Sequence, residues 1–264
     1  MKSYSFQSLL DSSILKDTDI VVAIGVFDGV HLGHNKIFSA LKEEKIKQKA
    51  KGMVITFDRN PKQQEAGSLD TMRLRREYVE SFDIDFFVVI DFSSDFSKIS
   101  GSEFIRLLCT MSRIKTVIVG EDFKCGNPKA RITANELEGE FTKHGSNTCV
   151  NIVDPVLDDE GIRISSTNIR KLILQGRMER VTSLSGKNYE LDLKGIEPKR
   201  EQAGIAYASF SILQMLPKKG RYKSEALMED GRVFKTVLTV KDDCIYLEGM
   251  DEGHIDTLRI ITKE

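Results

Sequence analysis

The sequence predicts an α/β protein: a mostly parallel sheet with both faces covered by helices, followed by a smaller β-rich unit. Three observations lead there. Apolar runs of strand length alternate with helix-period segments through the first two thirds of the chain. From about residue 203 the helical pattern stops, and five short β-like runs follow at turn spacing. The length of 264 residues allows one large domain or two modest ones at roughly 150 residues each.

The elements follow in order. Ile20–Val26 is a β-rich run ending in a glycine-containing turn, and 34–49 is a charged amphipathic helix with Ile37, Leu41 and Ile46 among its apolar positions. Strand 53–57, helix 70–82, strand 86–90, helix 103–110, strand 116–119, helix 134–144 and strand 149–153 continue the alternation. Ser100 with Glu103, and Thr133 with Glu136, have capping-box spacing at two helix starts. Helices are expected over 167–175 and 177–185, then strands over 203–213, 221–229, 232–240, 243–249 and 255–262. These last five suggest a small barrel or sandwich. The polar stretch 190–202 is the expected domain boundary.

Composition excludes several classes. With 39 Lys+Arg against 40 Asp+Glu the net charge is −1, so no global field draws the chain to nucleic acid or an anionic membrane. Any anion it binds must be held by a local site. No apolar run approaches the length of a membrane span, and the N-terminal stretch lacks the pattern of a signal peptide. The four cysteines, at 109, 125, 149 and 244, form no CxxC pair and have no histidine at ligand spacing; reduced thiols in a cytoplasmic protein are expected.

The strongest local signal is Gly25-Val-Phe-Asp-Gly-Val-His-Leu-Gly-His34, which leaves a strand and enters a helix. Glycines there let backbone approach a phosphate, and the helix start offers N–H groups and the positive end of its dipole. His31 and His34 are three apart, a spacing that puts both imidazoles on one face and suits stabilising charge on a phosphate. A plain glycine-rich turn with surface histidines is the alternative. A second candidate is Arg163-Ile-Ser-Ser-Thr-Asn-Ile-Arg170, whose hydroxyls at Ser165, Ser166 and Thr167 suit either helix capping or phosphate binding. The pairs Arg75-Arg76 and Lys218-Lys219 read as solvated faces, and the C-terminal Tyr and Phe residues as core.

GVFDGVHLGH resembles the signature of the nucleotidylyltransferase superfamily, in the form found in prokaryotic FAD synthetases, the bifunctional riboflavin kinase/FMN adenylyltransferases. Further elements resemble that family in the same order: Thr56-Phe-Asp-Arg-Asn-Pro61, Val119-Gly-Glu-Asp-Phe-Lys-Cys-Gly126, Arg163–Arg170 and Leu184-Ser-Gly-Lys-Asn-Tyr189. The resemblance implies a Rossmann-like adenylyltransferase domain over 1–188 and a β-barrel-like, riboflavin-kinase-like domain over 189–264. It implies catalytic roles for His31, His34 and Arg170. ATP would be bound by Gly25, Phe27, Asp28, Gly33, Asp122, Arg163, Ser165, Ser166 and Thr167. FMN would be bound by Phe57, Asp58, Asn60 and Pro61. Arg59-Asn60 stands where the family usually has Pro-His. Cys125 replaces a usual Phe and reads as a packing residue.

The second domain departs from the family further. Aligned on Gly204, Ala206, Tyr207 and Ser209 stand where the kinase element carries Pro, Thr and Asn, the latter two being its metal and phosphate ligands. A phenol or a shorter hydroxyl is a poor substitute for those ligands. The segment bearing the kinase's catalytic Glu and its C-terminal helix also look absent. The expected function is therefore FMN adenylyltransferase, converting ATP and FMN to FAD and pyrophosphate with Mg²⁺ carried by the ATP phosphates. The resemblance implies no tightly bound organic cofactor, no metal site of the protein's own, and no nucleic-acid, membrane or protein partner. Alternatives are a full bifunctional enzyme, a flavin- or nucleotide-binding module without turnover, and transfer to another phosphorylated acceptor.

Overall fold

The computed structural model describes residues 1–58, 67–92, 96–250 and 254–264. The chain divides into two compact units. One comprises Met1–Phe27, Gly33–Gln64 and Arg76–Val156, and the other Asp28–Leu32, Glu65–Arg75 and Leu157–Glu264. Residues 25–34 therefore contribute to both, and the boundary expected at 188/189 falls inside the second.

The first unit is built on β1 (Lys2–Ser5), α1 (Phe6–Ser12), β2 (Asp19–Ile24), α2 (Leu32–Lys47, from Gly33 on), β3 (Lys51–Phe57), the second half of α3 (Met72–Glu80, from Arg76 on) and β4 (Phe86–Ile90). There follow α4 (Gly101–Met111), β5 (Arg113–Gly120), a short hairpin of β6 (Lys124–Cys125) and β7 (Ile132–Thr133), α5 (Leu137–Lys143) and β8 (Cys149–Val153). Its six-stranded sheet has the order β1-β4-β3-β2-β5-β8, with every pairing parallel. Burial explains which strands could be read from the sequence. The central strands β2 and β3 are buried along almost their whole length, so they appear as unbroken apolar runs. At the edge, β1 (KSYS) is mostly exposed and carries no such run. It escaped the sequence reading, as did α1, which Ser5 caps by accepting the Ser8 N–H at 3.1 Å.

Both expected helix starts are anchored by side chains. Ser100 Oγ accepts the Glu103 N–H at 3.0 Å, and Glu136 Oε2 accepts the Thr133 N–H at 2.8 Å. The segment after Thr133 begins as a 3₁₀ turn (Ala134–Glu136) before α5. The core of this unit joins α1, α4 and α5 to the sheet through Leu9, Phe104, Leu108, Leu137 and Phe141. From β2 the chain proceeds to β3 and β4 on one side, and later places β5 and β8 on the other. The order thus reverses beside β2, where parallel α/β sheets collect their ligands at the strands' carboxyl ends.

The second unit holds α6 (Ser166–Gln175), α7 (Met178–Ser185) and seven antiparallel strands. These are β9 (Tyr189–Asp192), β10 (Lys199–Glu201), β11 (Gly204–Ala208), β12 (Gly220–Met228), β13 (Val233–Val240), β14 (Cys244–Glu248) and β15 (Ile255–Lys263). The sheet runs β10-β11-β14-β13-β12-β15-β9. Three expectations need correction. The polar stretch 190–202 contributes to two strands: β9, in which buried Tyr189 and Leu191 alternate with half-buried acidic residues over only four positions, and β10, which is exposed throughout. The strand expected over 203–213 ends at Ala208, where a 3₁₀ turn (Ser209–Ser211) takes over. Tyr207 and Tyr222 are core as expected, but Phe210 and Phe234 are exposed, Phe210 at 90%. Among the described residues no helix is long and apolar enough to cross a membrane.

Candidate active site

In the first unit, the turn after β2 is fixed by backbone and by one aromatic ring. The Gly25 N–H donates to Ile55 O at 3.1 Å, and Thr56 Oγ1 donates to Val26 O at 2.7 Å. Phe27 has a left-handed backbone, φ 50°, which is uncommon for a bulky residue. Its buried ring lies where a Cβ at Gly25 would come within 2.8 Å, so glycine at 25 is a steric requirement of Phe27. The same ring meets His34 edge-on, with centroids 5.2 Å apart and planes at 83°. Gly33 and His34 lie in the first turn of α2, where a helix presents its N–H groups to anions. His31 is buried just before that helix.

The second unit contains the rest of the turn, and here the geometry is dense. Asp28 is buried and receives four donors. Its Oδ1 accepts the N–H groups of Leu69 at 2.9 Å and Asp70 at 3.2 Å, and Arg75 Nη2 at 3.3 Å. Its Oδ2 pairs with Arg170 Nη2. Asp70, also buried, accepts the Val30 N–H at 2.8 Å and faces Lys187 Nζ at 3.5 Å. Buried charges are tolerated when paired and hydrogen-bonded in this way. Burial lowers the pKa of the Arg75 guanidinium, and the charges of Asp28 and Asp70 oppose that shift. Gly29 has φ +65°, and a Cβ there would lie 2.2 Å from Leu69 Cδ1. Its freedom serves the packing of Leu69 directly.

Two motifs far apart in sequence meet in this unit. Ser166 Oγ donates to the Asp28 backbone carbonyl at 2.7 Å, which joins the start of α6 to the 28–31 turn. Ser165 is the N-cap of α6: its Oγ accepts the Asn168 N–H at 3.3 Å. That bond uses an oxygen lone pair and leaves the hydroxyl proton able to donate. Thr167 is exposed on the first turn, and the Arg163 carbonyl accepts Asn168 Nδ2 at 2.9 Å. Arg170 is turned inward: Nη1 donates to Gly67 O at 2.6 Å while Nη2 holds Asp28, and the side chain is buried.

The remaining expected residues are placed as follows. Asp122 is exposed in the turn after β5. Phe57 packs against Phe92 and Phe96, with centroids at 5.8 and 6.3 Å. Asp58 Oδ1 accepts the Phe92 N–H at 2.9 Å. Asn60 and Pro61 lie outside the described residues. The solvated reading of Arg75 is corrected, because only Arg76 of that pair is exposed. Arg75 is buried on α3, and the clue was an arginine four residues before an apolar position, Val79. Lys218 and Lys219 are exposed. Among the described residues no group of three or more His, Cys, Asp or Glu side chains is placed to hold a metal ion.

Residues 13–168 match the FAD synthetase family. The chain belongs to that family. The match runs from before β2 to the first turn of α6, and so includes both histidines and the hydroxyl-bearing helix start. A bifunctional riboflavin kinase/FMN adenylyltransferase of Buchnera aphidicola (subspecies Schizaphis graminum) is 30% identical over 209 residues, covering 76% of this chain and 66% of that protein. The protein of the same description from Escherichia coli K12 is 28% identical over 220 residues, covering 78% and 68%. The chain thus spans about two thirds of the length of these curated relatives. A crystal structure described as a macrolide-efflux protein from Streptococcus pneumoniae superposes with a TM-score of 0.81 at 20% identity, covering 100% of this chain and 91% of that one. At that identity it bears on the fold alone.

Proposed function

We propose that this protein is a cytoplasmic FMN adenylyltransferase that makes FAD and pyrophosphate from FMN and ATP. The observation that carries the proposal is the Ser166–Asp28 hydrogen bond, because it joins the glycine turn to the hydroxyl-rich start of α6. Family membership supplies the reaction type. In this reading an oxygen of the FMN phosphate attacks the α-phosphorus of ATP. The bond from that phosphorus to the bridging oxygen breaks, and pyrophosphate leaves with the electron pair. No covalent enzyme intermediate is needed. His31 and His34 stabilise the charge that builds on the phosphates, and the first turn of α2 adds its dipole.

Ser165, Thr167 and Arg163 donate to the triphosphate, while Ser166 holds the turn. Arg170 acts through Asp28, to which its guanidinium is committed, and with Gly25, Phe27 and Gly33 it fixes the shape of the phosphate turn. Asp122 contributes to the nucleotide site from the carboxyl end of β5. Phe57, Asp58, Asn60 and Pro61 are assigned to FMN. Magnesium accompanies ATP, and its chemistry is to neutralise the phosphates. All four cysteines are free thiols, which supports a reducing compartment.

We further propose that riboflavin kinase activity is lost. Tyr207, standing at the position of the kinase's Thr ligand, is wholly buried, and its hydroxyl has no hydrogen-bond partner among the described residues. Burial also holds its phenol well above the usual pKa, so the hydroxyl keeps its proton. Incubation with ATP and Mg²⁺, supplying FMN or riboflavin separately, tests both statements. FAD is expected from FMN, and neither FMN nor FAD from riboflavin. Failure to form FAD from FMN would sink the first proposal, and product from riboflavin the second.

A further inference from the structure

We infer that Gln214, in the loop before β12, is a positioning residue for adenylyl transfer, through which the C-terminal sheet holds the phosphate turn in shape. This inference rests on the adenylyltransferase reading above. Gln214 is buried, and its amide makes three bonds to backbone. Nε2 donates to Leu69 O at 2.9 Å and to Glu190 O at 2.7 Å, while Oε1 accepts the Asp192 N–H at 2.6 Å. An amide carries two donor hydrogens and one carbonyl acceptor, so Gln214 is matched to this triple contact.

Leu69 is the link to the turn. Its N–H donates to Asp28 Oδ1, and its side chain occupies the space that a Cβ on Gly29 would need. The neighbouring Asp70 holds the Val30 N–H. From Gln214 the path to Val30, beside His31, therefore runs through Leu69 and Asp70 alone. Parallel ties reinforce it: Ser68 N–H to Leu213 O at 3.3 Å, Met215 N–H to Ser68 O at 2.9 Å, and Arg73 bridging Asp192 and Asp256. The C-terminal sheet thereby has a task in nucleotide chemistry that does not depend on phosphorylating riboflavin.

Gln214→Glu replaces the donating nitrogen with an acceptor facing two carbonyls, and Gln214→Met removes the amide at similar length. Thr236→Val is the control, since it deletes a partly buried side-chain bond to Glu248 O, 2.8 Å, in the same sheet. FAD formation and melting temperature are measured for each, with assays run well below every melting point. We expect kcat to fall at least tenfold in both Gln214 variants, with KM for FMN within threefold of wild type. Thr236→Val should melt lower yet keep kcat within twofold. Wild-type kcat in folded Gln214 variants, or an equal loss in Thr236→Val, overturns the inference. If the wild-type protein makes no FAD, the functional reading fails and Gln214 is judged by hydrogen exchange. Leu69 and Val30 amides should then exchange at least tenfold faster in a Gln214 variant than in Thr236→Val, and equal rates would overturn the positioning role.

Discussion

Arg75 Nη2 stands 3.3 Å from Asp28 Oδ1, with the two side chains only 4% and 2% exposed. In the sequence Arg75 reads, with Arg76, as a solvated face, yet it is bound to the aspartate of the glycine turn. Removing one member of a buried pair strands the other's charge in a medium that solvates it poorly. Arg75→Met is expected to lose about 3 kcal/mol of unfolding free energy. Its exposed neighbour Arg76→Met should stay within about 0.5 kcal/mol of wild type. Urea titration of the two variants decides the matter, and equal stabilities would show that the Arg75–Asp28 contact contributes little.

Gly29→Ala meets two obstacles together. A left-handed residue with a Cβ costs roughly 1 kcal/mol or more, and the methyl would collide with Leu69. The variant is expected to melt several degrees lower and to lose most FAD formation. Gly145→Ala also has a positive φ but open space around it, so it should show only the smaller, conformational part. Thermal melts of both variants separate strain from collision.

For the imidazoles, His31→Gln and His34→Gln are each expected to lower kcat about 10²–10³-fold, the scale for removing one stabiliser of developing charge. Because the proposed role is confined to the transition state, KM for ATP should change far less than kcat. A variant that raises KM while keeping kcat would assign that histidine to ground-state binding instead.

Burial pushes the Cys125 thiol up to about 12 and holds the Tyr189 phenol well above its usual value, with the charges of Asp70 and Asp28 adding to the latter. In the unfolded chain these groups ionise near their ordinary values, about 8.5 and 10. Between those values and the raised ones the folded protein keeps protons that the unfolded chain has lost. Their contribution to stability is therefore complete below about pH 8.5 and is lost as pH rises toward 12. Unfolding free energy measured from pH 8 to 11 should fall, and Cys125→Val should flatten the slope. An unchanged slope in that variant would remove Cys125 as a source. At pH 8 the exposed Cys149 should be alkylated while Cys125 is spared, as peptide mass mapping can show.

The legible parts of the molecule were those whose residues carry their own environment. Buried β2 and β3 are apolar without interruption, and Ser100 and Thr133 stand before their helices at capping spacing. The glycine turn and the serine-rich helix start were each visible as local patterns. Their meeting through Ser166 and the Asp28 carbonyl was not, because a bond spanning 138 residues leaves no periodicity. Arg75 was misread for the opposite reason: a charged side chain reads as solvated until its buried partner is known. Edge strands such as β1 and β10, which alternate with solvent or face it throughout, offered no apolar run to detect.

The ring of Phe27 occupies the volume that any side chain at residue 25 would need, while its own backbone is held in a conformation bulky residues seldom adopt. The two positions are thus locked together over evolutionary time. A larger residue at 25 becomes acceptable only after Phe27 has shrunk, and a smaller residue at 27 withdraws the ring against which His34 rests. Neither first step is neutral, so drift through this turn should be rare, and single and double substitutions at 25 and 27 should be strongly non-additive.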